Sequence, residues 1–396
     1  MSVAAATSAR IPRAVWALGL VSLLMDVSSE MIHSLLPVFL VTTLSASALA
    51  VGLIEGVAEA TALIIKVFSG ALSDYWGKRK PLALLGYGLA AVSKPLFALA
   101  GSPAWVFTAR IADRIGKGIR GAPRDALLAD VTPPQLRGAA FGLRQALDTV
   151  GAFVGPLLAM GLMLLWANDF RAVFWVAIIP AALSVAMLFF GVQEPERQGG
   201  ARSVNPIRRA NLRRLSGSYW WVVVIAAIFT LARFSEAFLV LRAQQGGLAI
   251  ALVPLVLIAM NLVYSASAYP FGHLADRVNP RSLLAGGLLV LIGADALLAY
   301  SARGALLWAG IALWGLHMGM TQGLLSAMVA NTAPDDLRGT AFGFFNLVSG
   351  IAVLIASALA GALWDRFGPS YTFSAGAAFS VLALVVLVAR ATPTVR

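Results

Sequence analysis

The sequence predicts an all-α membrane protein, with twelve transmembrane helices forming two six-helix, pseudo-symmetric bundles around a central cavity. Three observations carry that prediction. Of the 396 residues, 59% are hydrophobic and only 12% are charged, about half the charge of an ordinary soluble domain. Apolar runs bounded by Gly, Pro or charge recur along the whole chain. The two halves of the chain also repeat each other.

The runs fall at about 14–40, 47–72, 81–100, 104–128, 139–165, 172–192, 218–241, 249–271, 282–301, 304–329, 340–363 and 371–390. Each is long enough to cross a hydrocarbon layer of about 30 Å as a helix. Arg10 and Arg13 precede the first run, as in a signal peptide. That run is long, carries Asp26 and Glu30 and has no small-residue cleavage site, so it reads as a retained first span. The basic, polar stretch 193–217 breaks the pattern. It reads as a linker between an N-terminal bundle, 1–192, and a C-terminal bundle, 218–396.

A net charge of +12 suggests nucleic acid in a soluble chain. Here topology accounts for it. With the N-terminus inside, the cytoplasmic segments hold 17 Lys and Arg against four outside, the bias expected of membrane insertion. Both termini are therefore expected in the cytoplasm, with no nucleic-acid partner. Cysteine is absent, which excludes disulfides and thiolate metal sites.

Residues 132–142 read TPPQLRGAAFG and residues 332–343 read TAPDDLRGTAFG; GALSD at 70–74 is matched by GHLAD at 272–276. Both pairs are offset by 201 or 202 residues and lie in equivalent loops. A duplication of six spans places a shared site between the halves, near the bilayer midplane.

These repeated loops carry a family resemblance. The segment Gly70 to Lys80, with Asp74, Gly77, Lys78 and Arg79, resembles the signature loop of the major facilitator superfamily, with Tyr75 where a basic residue is usual. Its degenerate copy contains Asp276 and Arg277. In span 4, Arg110, Asp113, Gly116, Gly118, Pro123 and the ALLAD run resemble the family's span-4 signature, with Asp113 and Arg114 replacing the commoner Gln and Gly. Gly151, Gly155 and Pro156 in span 5 resemble the GxxxGP element of the drug/proton antiporter branch; Ala159 and Met160 stand where a Gly pair often follows. The resemblance spans nearly the whole chain. It implies conformational gating by Gly70, Asp74, Gly77, Arg79, Gly151, Gly155, Pro156 and Asp276. It further implies that spans 3, 6, 9 and 12 face lipid while the others line or flank the cavity.

On that layout the lipid-facing set carries only Lys94 and Asp295. The cavity set carries Asp26, Glu30, Glu55, Glu59, Lys66, Arg110, Asp113, Arg114, Lys117, Arg144, Asp148, Arg233 and Glu236. Charges at bilayer depth are costly and normally face a cavity or a partner, so the segregation supports the layout. Helical spacing puts Asp26, Glu30 and His33 on one face of span 1, and Glu55 and Glu59 on one face of span 2. Asp26, Glu30, Glu55, Glu59 and Asp113 are the candidates for proton coupling. Asp26 and Glu59 are expected deepest in their spans.

Arg110, Arg114, Lys117, Arg233, Glu236, Gln322 and Asn346 are the candidates for substrate binding. A cluster of cations in a low-dielectric cavity attracts anions, which points to an anionic solute or a zwitterion with an acidic group. Arg120 and Arg124 fall near the cytoplasmic end and are expected to snorkel. Arg144 with Asp148, and Arg233 with Glu236, have the spacing of intrahelical pairs. His33 and His317 are isolated in sequence, with no metal-ligand cluster.

The expected function is that of a proton-coupled secondary transporter, an exporter of a small anionic or amphipathic solute by alternating access. The family resemblance supplies the direction. A proton symporter or exchanger importing an organic anion is the alternative on the same fold, and a non-transporting receptor or scaffold is a third class. No HExxH, GxSxG or Walker motif points to an enzyme or an ATP-driven pump. No cofactor is expected. The partners are the solute, protons and the lipid of the plasma (bacterial inner) membrane, with the monomer as the working unit.

Overall fold

The computed structural model describes residues 11–76, 78–194, 214–275, 277–321, 323–334 and 337–389, apart from the side chains of Ala71 and Asp74. Most of the 193–217 linker, together with Gly77, Asp276 and Gln322, lies outside the described residues. So does the side chain of Asp74.

In hydrocarbon every backbone N–H and C=O must be satisfied within the segment, and all the long apolar runs are helical. They are α1 (Arg13–Thr43), α2 (Ala48–Trp76), α3 (Lys80–Ala98), α4 (Pro103–Asp130), α5 (Arg137–Leu165), α6 (Phe170–Gly191), α7 (Gly217–Gln245), α8 (Pro254–Ala275), α9 (Pro280–Tyr300), α10 (Gly304–Thr332), α11 (Arg338–Phe367) and α12 (Pro369–Ala389). Eleven of them are long and apolar enough to cross a membrane. The twelfth, α4, has the length but not the hydropathy, because it carries Arg110, Asp113, Arg114, Lys117, Arg120, Arg124, Asp125 and Asp130. A helix this charged persists at bilayer depth only if its neighbours neutralise it.

The duplication is visible locally. The two TPPQLRG-like segments end in equivalent helix starts, α5 at Arg137 and α11 at Arg338, each preceded by a leucine. The first helix of each repeat, α1 and α7, is broken at an equivalent place. Helix α1 leaves regular geometry after His33, resumes as Leu36–Val38 around Pro37 and ends in a π-helical turn, Phe39–Thr43. Helix α7 is interrupted between Ala232 and Ala237. The breaks lie about 200 residues apart, matching the repeat. The freed Ser235 N–H donates to Ser357 Oγ at 3.2 Å. Broken helices at the midplane are where transporter folds build their sites.

The apolar core falls into three clusters. One cluster joins α1–α6 to α7–α12, drawing on Phe39, Val51, Phe97, Val106, Phe174, Phe238, Met260, Ile311, Ala356 and Phe373. All of these lie toward one end of the bundle, called here the far end. At the other end, which bears Arg79, Lys80, Arg137 and Arg338, the clusters are separate. One is confined to α1–α6 (Leu18, Tyr87, Leu127, Leu188) and one to α7–α12 (Tyr219, Leu284, Val329, Leu387). The two sets of helices therefore meet at the far end and part at the basic end.

Small residues allow the far-end contact. A Cβ at Gly52 would stand 2.1 Å from the Ser357 carbonyl, one at Gly56 3.1 Å from Leu354 Cα, and one at Gly361 2.5 Å from the Ala48 carbonyl. Helix α2 thus lies backbone to backbone against α11, the close packing that small residues permit in membranes. Helices α5 and α8 form a second contact across the same divide.

Candidate functional site

Helix α4 organises the site. Its charged residues recur every three or four positions and so share a side, and most of them meet a neighbouring helix. Arg110 Nη2 donates to Glu55 Oε2 of α2 at 2.7 Å. Lys94 Nζ of α3 reaches Asp113 Oδ1 at 2.7 Å and Ser29 Oγ of α1 at 2.9 Å. Arg114 meets Glu59 at 3.2 Å and Asp113 at 3.9 Å. His33 bridges Glu30 at 3.3 Å and Glu55 at 3.7 Å. The result is one connected chain of charge from Glu30 through His33, Glu55, Arg110, Asp113 and Arg114 to Glu59.

Burial grades along that chain. The side chains of Arg110, Glu55, Lys94 and Asp113 are between 1% and 4% exposed, whereas Glu30 is 22% and Glu59 37% exposed. Asp26 is 27% exposed and lies 3.9 Å from Arg120. Lys117 is exposed and has no ion pair among the described residues; the charges acting on it are Arg114, Glu59, Asp26 and Glu30. The inner members brace one another. The outer members, Asp26, Glu30, Glu59 and Lys117, are available to a solute or to water.

Several expectations change. Lys94 was assigned to the lipid face but is buried in the network. Gly86 and Gly116 bring α3 against α4 (a Cβ at Gly116 would sit 2.6 Å from the Gly86 carbonyl), so the lysine stem reaches Asp113. Asp295 is likewise buried and not lipid-facing. Arg120 and Arg124 do not snorkel. Arg120 stacks over the Tyr87 ring at 4.7 Å, and Arg124 bonds Ser22 and Asp125 at 3.0 Å each, so both side chains are held by protein partners. His33 is not isolated. Within the network Glu55 and Asp113 are the most buried carboxylates, while Asp26 and Glu59 are partly exposed.

Arg144 pairs with Asp148 at 2.5 Å as the spacing suggested. Arg233 and Glu236 form no such pair, because the break in α7 falls between them; Arg233 lies over the Phe229 ring at 5.7 Å. Glu236 is partly buried at the break in α7. Asn346 is half-buried on α11. His317 is fully buried, with Trp314 at 5.4 Å and Phe229 at 6.5 Å, and does not line an open space.

The glycines of α5 have a direct task. A Cβ at Gly151 would sit 3.0 Å from Asp26 Cβ, and one at Gly155 2.8 Å from Glu30 Cβ and from the Val27 carbonyl. The GxxxGP element therefore presses α5 onto the carboxylate-bearing face of α1. Replacing Gly155 with alanine is expected to displace α1, cost about 1–3 kcal/mol and abolish transport, read by thermal unfolding and flux. Gly70 abuts Ala122 of α4 in a looser way, with a Cβ distance of 3.3 Å. Arg79 pairs with Asp130 at 3.2 Å, and its backbone N–H donates to Glu194, which also accepts from Lys80 N–H at 3.1 Å. The start of the linker is thereby tied to the N-terminus of α3.

One residue that sequence reasoning missed closes the far end. Asp365 of α11 accepts from the backbone N–H groups of Ala48 at 2.9 Å and Leu49 at 2.8 Å. A carboxylate is thus set on the free N–H groups that open α2, where the helix dipole favours negative charge.

A helical membrane bundle with converging buried charge, joined at one end and parted at the other, defines the class: a solute transporter, not an enzyme. Comparison with known proteins agrees. A family model described as Major Facilitator Superfamily matches residues 18–346 and 237–396, and the chain belongs to that superfamily. An uncharacterised MFS-type transporter of Methanocaldococcus jannaschii is 33% identical over 380 residues, 94% of each chain. The multidrug resistance protein MdtH of Photorhabdus laumondii is 30% identical over 154 residues, 39% of this chain and 37% of that one. The crystal structure of a bacterial homologue of the human lysosomal transporter Spinster, inward-facing and occupied, superposes with a TM-score of 0.78 at 17% identity, covering 96% of this chain and 98% of that one.

Proposed function

We propose that the chain is a proton-coupled secondary transporter that exports a small amphipathic solute by proton antiport. It works as a monomer in the plasma (bacterial inner) membrane, with both termini cytoplasmic. On that orientation the basic end faces the cytoplasm and the structure is inward-facing. Residues 1–192 and 218–396 rock about the α2–α11 and α5–α8 contacts.

The observation that carries this reading is the layer of half-exposed carboxylates, Asp26, Glu30 and Glu59, beneath the closed far end. A carboxylate oxygen holds either a proton or the positive group of a solute. Competition between the two for the same atoms is the physical basis of antiport. Helices α7–α12 offer few charges and several partly exposed aromatic residues, including Tyr264 and Phe345, which suits the apolar part of an amphipathic molecule. The partial likeness to MdtH and the GxxxGP element support export.

Lys117 favours a second reading. It is an exposed cation without an ion pair among the described residues, suited to an organic anion. Protonating the neighbouring carboxylates would strengthen anion binding, so coupling there is symport and the direction is import. Oriented vesicles with an imposed pH gradient separate the two. Antiport predicts expulsion of amphipathic cations against the proton flow; proton-driven uptake of organic acids would assign symport. Under the symport reading, Lys117→Ala is expected to weaken binding of an organic acid roughly ten- to hundredfold, the loss of one charge-assisted contact, measured by calorimetric titration. Under the antiport reading binding of a cation is unchanged or tighter.

A further inference from the structure

The network on α1–α5 leaves one buried carboxyl unused. Asp295 of α9 is fully buried, and among the described residues neither of its carboxyl oxygens has a hydrogen-bond partner. Gly376 of α12 makes its seat: a Cβ there would stand 2.6 Å from Asp295 Oδ2 and 2.9 Å from Phe234 Cε1. The carboxyl is therefore wedged between the α12 backbone and the edge of Phe234. That ring belongs to the break in α7 and packs 5.3 Å from Trp314 and 5.5 Å from Phe373.

The helices around it bring no countercharge. Helix α12 carries no ionisable group except Tyr371 near its start, and α10 contributes only His317. On α7, Arg233 lies over Phe229, and Arg242 donates to the carbonyls of Leu298 and Ala299 at 2.8 and 3.2 Å, one turn further along α9. Glu236 has the same sign as Asp295. Among the described residues none of these groups pairs with Asp295. A buried ionised carboxylate with no cation or donor beside it is costly enough that such a group sheds its charge by binding a proton. As a structural element the carboxyl is a liability, since an apolar side chain would fill the seat with no polar group left unpaired.

We propose that Asp295 is a second proton-binding site of this transporter, separate from the charged network and sealed in the inward-facing state by Phe234 at the break in α7. The step is a plain proton transfer. One carboxyl oxygen takes a proton from water when Phe234 withdraws, the neutral acid travels sealed with the moving helices, and the proton returns to water at the next opening. The inference rests on the proton-coupled reading above, deepening it by adding a site among α7–α12.

Infrared difference spectroscopy of the protein in bilayers, wild type against Asp295→Asn, tests the site directly. The expected result is loss of the stretching band of a buried protonated carboxyl. Reversal-potential measurements on the same pair test its role, and the variant is expected to move one proton fewer per solute. A band that survives in the variant, or an unchanged ratio in a coupled protein, overturns the proposal. A wild type indifferent to pH gradients would instead defeat the coupling reading, and the band alone would then decide the site. Should Asp295→Asn fail to fold, Gly376→Ala pushes a methyl onto Oδ2, and the band of the intact carboxyl must shift; an unmoved band counts against the assignment.

Discussion

Replacing Lys94 with alanine is expected to lower stability by about 3–5 kcal/mol, the cost of stranding a buried charge, and to abolish transport. Lys94 Nζ makes the one short contact of Asp113 Oδ1, at 2.7 Å, with both side chains almost wholly buried. Arg110 and Arg114 approach the other oxygen only at 3.8 and 3.9 Å. Removing the ammonium therefore leaves half of a buried carboxylate without a partner. The double variant Lys94→Ala with Asp113→Ala removes both charges and should recover part of the loss, because uncharged replacements of buried pairs are often well tolerated. Thermal unfolding in detergent decides. A Lys94→Ala protein as stable as wild type, or a double variant worse than both singles together, would show that the pair does not brace α3 against α4.

The second large effect is expected at the far end. Asp365→Ala removes a carboxylate that accepts from two backbone N–H groups at the start of α2. The contact exists only while α11 lies against α2, so its loss destabilises the closed far end and leaves the open one untouched. Charge-assisted hydrogen bonds of this kind contribute about 2 kcal/mol, which is roughly a thirtyfold change in the ratio of the two states. The natural absence of cysteine makes the measurement clean. A reporter at Ile54→Cys, buried in the far-end core, should react with a membrane-impermeant thiol reagent from outside much faster when Asp365→Ala is present. Equal labelling rates would remove Asp365 from the gate. Asp365→Asn should be intermediate, since an amide oxygen accepts one of the two bonds without the charge.

Much of the fold was legible because its cause is local. Span number follows from the solvation demands of the bilayer, which act residue by residue along the chain, and the duplication from two motifs repeated at one offset. Asp26, Glu30, Glu55, Glu59, Arg110, Asp113 and Arg114 were recognisable as one group because charge at depth must converge. Their pairing was not. Glu55 with Arg110 and Glu59 with Arg114 depend on the rotation of α2 against α4, and a shift of one residue turns a helix face by about 100°. Lys94 was misplaced for the same reason: its distance from Asp113 is set by how closely Gly86 and Gly116 let two helices approach. The only signal available was a lysine in the middle of an apolar run. Asp365 was illegible, because its partners are backbone N–H groups more than 300 residues away and carry no side-chain signature.

The sequence by itself determined a duplicated helical membrane protein, the gathering of its basic residues in alternate loops and the set of charges that must avoid lipid, since each follows from composition and spacing along one chain. Only the tertiary structure decided which cation neutralises which carboxylate, that the far end is shut and that Asp295 sits without a partner. Those outcomes depend on contacts between helices, whose rotation and depth are set by the packing of small residues across their interfaces.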